Sequence, residues 1–167
     1  LVFATSIAAS WNVEHNADGT HKTGPRGKAY LGTGQTIADG PLTRITLDKI
    51  VYDHFNEFNP ITGLWTARED MDVIVFAGLF IASTDTGNWY VTINQDETST
   101  GGGATNIKSY SIDQAPVNGT TTGRQLSAVL EVKRGHSIAL MAEQHTGGNQ
   151  TVGAGENSTW MAIHRTR

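Results

Sequence analysis

The residues able to do chemistry are few and scattered. Histidines stand at 15, 21, 54, 136, 145 and 164, with no motif spacing among them. The chain has no cysteine, no Gly-x-Ser-x-Gly and no His-Glu-x-x-His. Thiolate chemistry is therefore excluded, and the common hydrolase signatures are missing. Paired carboxylates for glycoside cleavage stay open, because their separation is set in space rather than along the chain. The densest acidic run is Arg68-Glu69-Asp70-Met71-Asp72. On an extended chain Asp70 and Asp72 share a face, which with carbonyl help is a calcium-type oxygen set. The alternative is a solvated strand entrance.

The elements that would position such groups follow from bulk properties. A chain of 167 residues suits one domain with a core that needs no staples. A net charge of -4 and a pI near 5.8 argue against a nucleic-acid or anionic-membrane partner. No apolar run approaches the ~20 residues of a membrane helix, so no membrane insertion is expected. The opening LVFATSIAAS lacks the basic region of a signal peptide. A start without methionine fits a fragment or a processed product. Glycine numbers 19, threonine is plentiful and helical periodicity is hard to find. The composition is all-β.

Short alternating segments bounded by Gly, Asn, Asp or Pro recur along the chain, as in a sandwich or barrel. Strands are expected near residues 29–32, 42–47, 50–55, 71–82, 89–94, 107–112, 126–133, 137–143 and 159–165. Lys133-Arg134-Gly135-His136 predicts a tight hairpin with Gly135 at positive φ. Polar stretches at 84–88, 95–105, 113–123 and 145–157 read as loops, the last three of them longer than a hairpin requires. Residues 1–28 lack alternation and read as a stalk or linker, leaving 29–167 as the head domain.

One segment breaks the pattern. In residues 71–81, Met71, Val73, Val75, Ala77, Leu79 and Ile81 form one apolar set; Ile74, Phe76 and Phe80 make the other apolar as well. A strand apolar on both faces has both covered. The chain offers no amphipathic helix for the second face, so another copy of the same chain is the expected cover. Each of Ile74, Phe76 and Phe80 contributes ~1.5–3 kcal/mol when buried. Cover by an N-terminal segment or a loop is the alternative.

The run from Leu47 through Asp53, Phe58-Asn59-Pro60, Thr62-Gly63 and Trp65-Thr66-Ala67 to Val73 and Val75 resembles the signature of the complement "C-one-q" globular head, kin to tumour-necrosis-factor-like jelly rolls. The resemblance extends from Ala29-Tyr30-Leu31 to Ser158-Thr159-Trp160-Met161-Ala162-Ile163, nearly the whole folded part. Leu47 and Trp65 stand where the pattern has Phe, Met71 where it has Gly, and Val73 and Val75 where it has Tyr and Phe. His136 replaces the usual Asp after the hairpin glycine. The resemblance implies an antiparallel jelly roll of about ten strands that forms a homotrimer through its apolar sheet face.

VEHNADGTHK at 13–22 resembles segments upstream of trimeric tips in bacteriophage tail-fibre and spike proteins. In a trimer His15 and His21 would supply six imidazoles near an axis, an octahedral iron-type arrangement. Fibre sites of that kind place their histidines at i and i+2, which this chain lacks. A solvated turn at Asp18-Gly19 is the plainer reading, and no cofactor is expected.

If the N-terminus enters at the base, loops 84–88, 113–123 and 145–157 reach the far end. There Asp85, Asn88, Gln114, Asn118, Asn149, Gln150 and Asn157 are candidates to hydrogen-bond a host-surface receptor, glycan included. Trp89 and Tyr90 could stack on a sugar ring if exposed; for Trp89 the alternative is the core. The expected function is a non-enzymatic trimeric tip on the virion exterior, joined to other virion proteins through its N-terminal segment. The alternatives are a capsid decoration without receptor binding and a glycan-cleaving enzyme.

Overall fold

A computed structural model of the chain describes residues 24–82, 87–96, 106–114 and 122–166. The expectations placed on His15, His21, Asp85 and Asn118 lie outside these residues, as does the N-terminal segment before residue 24.

The described residues form thirteen strands in two antiparallel sheets and no helix. The larger sheet is built on β7 (Met71–Ala82), the two-faced strand. On one side β7 pairs along its length with β10 (Thr122–Val132). On the other it meets β13 (Trp160–Arg165) and then β12 (Gln150–Val152). Beyond these lie β1 (Gly24–Tyr30) and β2 (Gln35–Ile37), with β4 (Lys49–Asp53) at the edge. The smaller sheet runs β5 (Phe58–Asn59), β6 (Leu64–Thr66), β11 (Ser137–His145), β8 (Asn88–Asp96) and β9 (Asn106–Gln114), with β3 (Thr43–Arg44) also on β11.

Alternation decides what fills the space between the sheets. Val73, Val75, Ala77 and Leu79 point inward from β7 and are fully buried. They meet Leu130, Val132, Met161 and Ile163 from their own sheet and Trp89, Val91, Ile93, Ile138 and Leu140 from the other. Trp89 is thus a core residue, and it cannot stack on a ligand.

Two turns follow their sequence signals. At 133–136 the His136 amide donates to the Lys133 carbonyl at 2.9 Å, and Gly135 takes φ +88. In the Asn59–Gly63 turn, the Asn59 side-chain oxygen accepts from the Ile61 and Thr62 amides at 2.9 and 3.2 Å. Gly63 closes the turn at φ +69, packed so tightly that a Cβ there would lie 2.6 Å from the Ile45 carbonyl oxygen.

The structure departs from the sequence reading in three places. The first described strand starts at Gly24 rather than at residue 29, and its Arg26 is buried and paired within the fold. The stretch 145–157 is not one free loop: β12 lies inside it, hydrogen-bonded between β2 and β7. Short strands β5 and β6 also escape alternation-based reading, being only two and three residues long.

Candidate interaction surfaces

The second face of β7 is open in the single subunit. Register sets its residues in rows across neighbouring strands. Val129, Ile74 and His164 form one row, Ser127, Phe76, Ala162 and Lys28 the next, and Gln125, Gly78, Trp160 and Tyr30 a third. Val129 is 76% exposed and Phe76 41%, while Ile74 is half-buried. Gly78 has no side chain because Trp160 lies across it: a Cβ there would fall 2.6 Å from the indole nitrogen. Lys28 reaches over the same indole, 5.6 Å from its centre, and bonds Glu156 at 3.0 Å. Lys28, Phe76, Gln125, Asn157, Trp160 and Ala162 together line a shallow concavity.

The three residues expected at a subunit contact, Ile74, Phe76 and Phe80, all stand on this face of β7. Phe80 is half-buried, and the ring is partly covered by Gly153 of its own chain. Val129, Trp160 and His164 belong to the same face but were not singled out from sequence. Val129 carried a readable signal, as the apolar member of the outward set Ser127, Val129 and Glu131.

The two poles of the sandwich differ. Gly24, Val73 and Arg165 meet at one pole. There Arg26 and Glu57 form a buried bidentate pair, Arg26 and Arg165 both reach Glu69, and the Trp65 indole donates to Glu57 at 3.2 Å. The Arg26 guanidinium lies over the Phe55 ring, 3.6 Å from its centre. This network fastens the first and last strands to the 57–69 segment. Nearby, the Asp70–Asp72 pair considered for calcium has a built-in cation. Lys133 Nζ lies 3.7 Å from Asp70 and bonds Glu131. That ammonium holds the Glu131 carboxyl below its usual range by hydrogen bonding and then charge, and is itself pushed up by the carboxylate. Asp70 also accepts from the Arg134 amide at 2.9 Å.

At the opposite pole, Asn88 pairs with both Gln114 and His145, and Ile81 with Thr122. Only the main chain of Gln114 is described. Asn88 is half-buried and Asn149 exposed, so both are presented here. Gln150 is buried at 6% exposure on β12, which removes it from the receptor candidates. Asn157 is exposed but lines the flank concavity beside Trp160 rather than the pole. Tyr90 meets the His145 ring edge-on at 5.8 Å, and His145 bonds Glu143 at 2.7 Å. Gln144, fully buried, holds this end together. Its amide donates to the Ile37 and Gly148 carbonyls and accepts from the Thr146 amide and hydroxyl.

No family model and no curated relative matches the sequence. Solved structures do match in fold. Murine APRIL at pH 5.0 superposes with a TM-score of 0.64 at 10% identity, over 86% of this chain and 99% of that one. Eiger TNF from S. frugiperda gives 0.61 at 10% identity, over 86% and 94%. The globular domain of zebrafish complement 1qA protein gives 0.57 at 12% identity, over 84% and 94%. The chain has the jelly-roll fold shared by tumour-necrosis-factor-type and complement-type heads.

Proposed function

We propose that this chain is a non-enzymatic, homotrimeric binding head that carries its receptor-contacting loops at the pole opposite its N-terminal entry. The observation that carries the reading is the apolar flank: Val129, Ile74, Phe76 and Trp160 stand on one sheet face, running between the two poles. Contiguous apolar surface on a soluble domain marks an interaction site. A second copy is the cover that the chain itself supplies, and cyclic closure of three copies sets every far-end loop in triplicate. Weak contacts through Asn88 and Asn149 to a host-surface receptor, a glycan included, then gain by avidity. The resemblance of residues 13–22 to fibre segments supports a place at the tip of a virion fibre or spike, on the exterior. The fold likeness to ligand-type heads and the missing hydrolase motifs support binding over catalysis.

Light scattering on the purified chain reads the assembly directly. The expected mass is three times 17.9 kDa. The Phe76→Asp/Val129→Lys double variant is expected to run as a folded single subunit. A native chain that is monomeric at micromolar concentration overturns the proposal. Fluorescent trimer is expected to label intact bacterial host cells, and Asn88→Ala/Asn149→Ala to label them less. Trimer without labelling favours a capsid decoration, and release of reducing sugar favours an enzyme.

A further inference from the structure

The apolar flank carries one imidazole, and we infer that it makes the subunit contact proton-sensitive: His164 permits tight assembly while neutral and loosens it when charged. This rests on the trimer reading above. His164 is half-buried on β13, in the row with Ile74 and Val129. Its ring meets Phe76 edge-on, with centres 6.3 Å apart and planes at 86°. A second copy that covers Phe76 and Val129 therefore covers this ring too.

An imidazole in water changes charge near pH ~6.5. Dry apolar cover penalises the charged form and leaves the neutral form almost untouched. The charged groups that face His164 are partly compensated. Asp72 of β7 and Glu131 of β10 lie one row nearer the base, and Lys28 of β1 one row farther. Glu131 is bonded to Lys133 and Lys28 to Glu156. As carboxylates Asp72 and Glu131 favour the charged ring and work against the effect, and the Lys28 ammonium works with it. On β4, the strand beyond β1, Tyr52 and His54 stack on each other 5.3 Å apart.

The sign follows from linkage. Assembly lowers the proton affinity of His164, so the trimer has its full strength above the free subunit's value and weakens as pH falls through it. The penalty applies once per subunit, so it multiplies across the three copies of the site.

Sedimentation equilibrium at pH 7.5 and 5.0, at matched ionic strength, tests this on the native chain, His164→Asn, His164→Gln and His54→Asn. The expected result is a weakening of the native trimer at pH 5.0 by at least ~10-fold in its dissociation constant. Either His164 variant should lose most of that response and His54→Asn should keep it. Equal native affinity at both pH values overturns the inference, as does the full response in either His164 variant. Circular dichroism reads folding separately, and a native chain that unfolds at pH 5.0 also overturns it. A native chain monomeric at pH 7.5 removes the trimer itself, a distinct result.

Discussion

Arg26 and Glu57 meet through two parallel N–H···O bonds of 3.1 and 2.6 Å, both side chains shut away from solvent. The pair joins the first strand to the segment before β5 across 31 residues of sequence. Taking two charges out of water is costly, and their attraction with good geometry repays most of that. Removing Glu57 breaks the bidentate pair, leaves Arg26 with Glu69 alone and takes the acceptor from the Trp65 indole. Glu57→Ala is therefore expected to cost about 3–5 kcal/mol, read as a lower thermal midpoint. Replacing both with apolar residues of similar volume, Arg26→Met with Glu57→Leu, should cost less than Glu57→Ala alone. A double variant that is the less stable of the two would show that the charges themselves, rather than their burial, hold this pole.

Gly63 is needed for two reasons at one position. Its φ of +69 is disfavoured for side-chain-bearing residues, and a Cβ would press on the Ile45 carbonyl and the Thr46 Cα. Gly63→Ala should lose about 1–3 kcal/mol from backbone strain, with a further loss from the clash. Gly123, whose Cβ would meet nothing within 4 Å, is the control. Chemical denaturation of Gly63→Ala and Gly123→Ala should separate them clearly.

Gln144 links three segments at the far pole through a buried amide. Gln144→Ala leaves the Ile37 and Gly148 carbonyls and the Thr146 amide short of a partner. The expected loss is about 1–3 kcal/mol. Hydrogen exchange should speed up at the Thr146 and Gly147 amides while β7 stays protected. Uniform loss of protection across both sheets would contradict a local role.

Glu131 and Lys133 give a pH signature at the other pole. Lys133 holds the Glu131 carboxyl low, and Glu131 holds the ammonium high. The carboxyl contribution is present above its unfolded value and lost as pH falls through the folded one. The ammonium contribution is present below its unfolded value and lost as pH rises through the folded one. Both groups are exposed, so the effect on stability is small and screened by salt. Carbon-detected titration should place the Glu131 midpoint below that of an unpaired glutamate, and Lys133→Met should raise it. An unmoved midpoint would remove the pairing.

Sequence alone determined the class of fold and the odd strand within it. Period-two alternation reports which side of a strand faces inward, and it marks residues 71–81 as apolar twice over. Turn chemistry at Asn59–Gly63 and Gly135 is equally local, so the Asn-Pro-x-Thr-Gly run and the hairpin are legible in single segments. Tertiary structure decided which polar groups meet. Arg26, Glu57, Glu69 and Arg165 come together only because β1 and β13 pair beside the 57–69 segment. Gln150 reads as a free loop amide until β12 slots between β2 and β7 and buries it. Asn157 reads as a tip residue until the chain returns it to the flank beside Trp160. Likewise His164 looks like any isolated histidine until register sets it level with Ile74 and against Phe76. Strand order and register are global properties, fixed by how the whole core packs, and no local pattern encodes them.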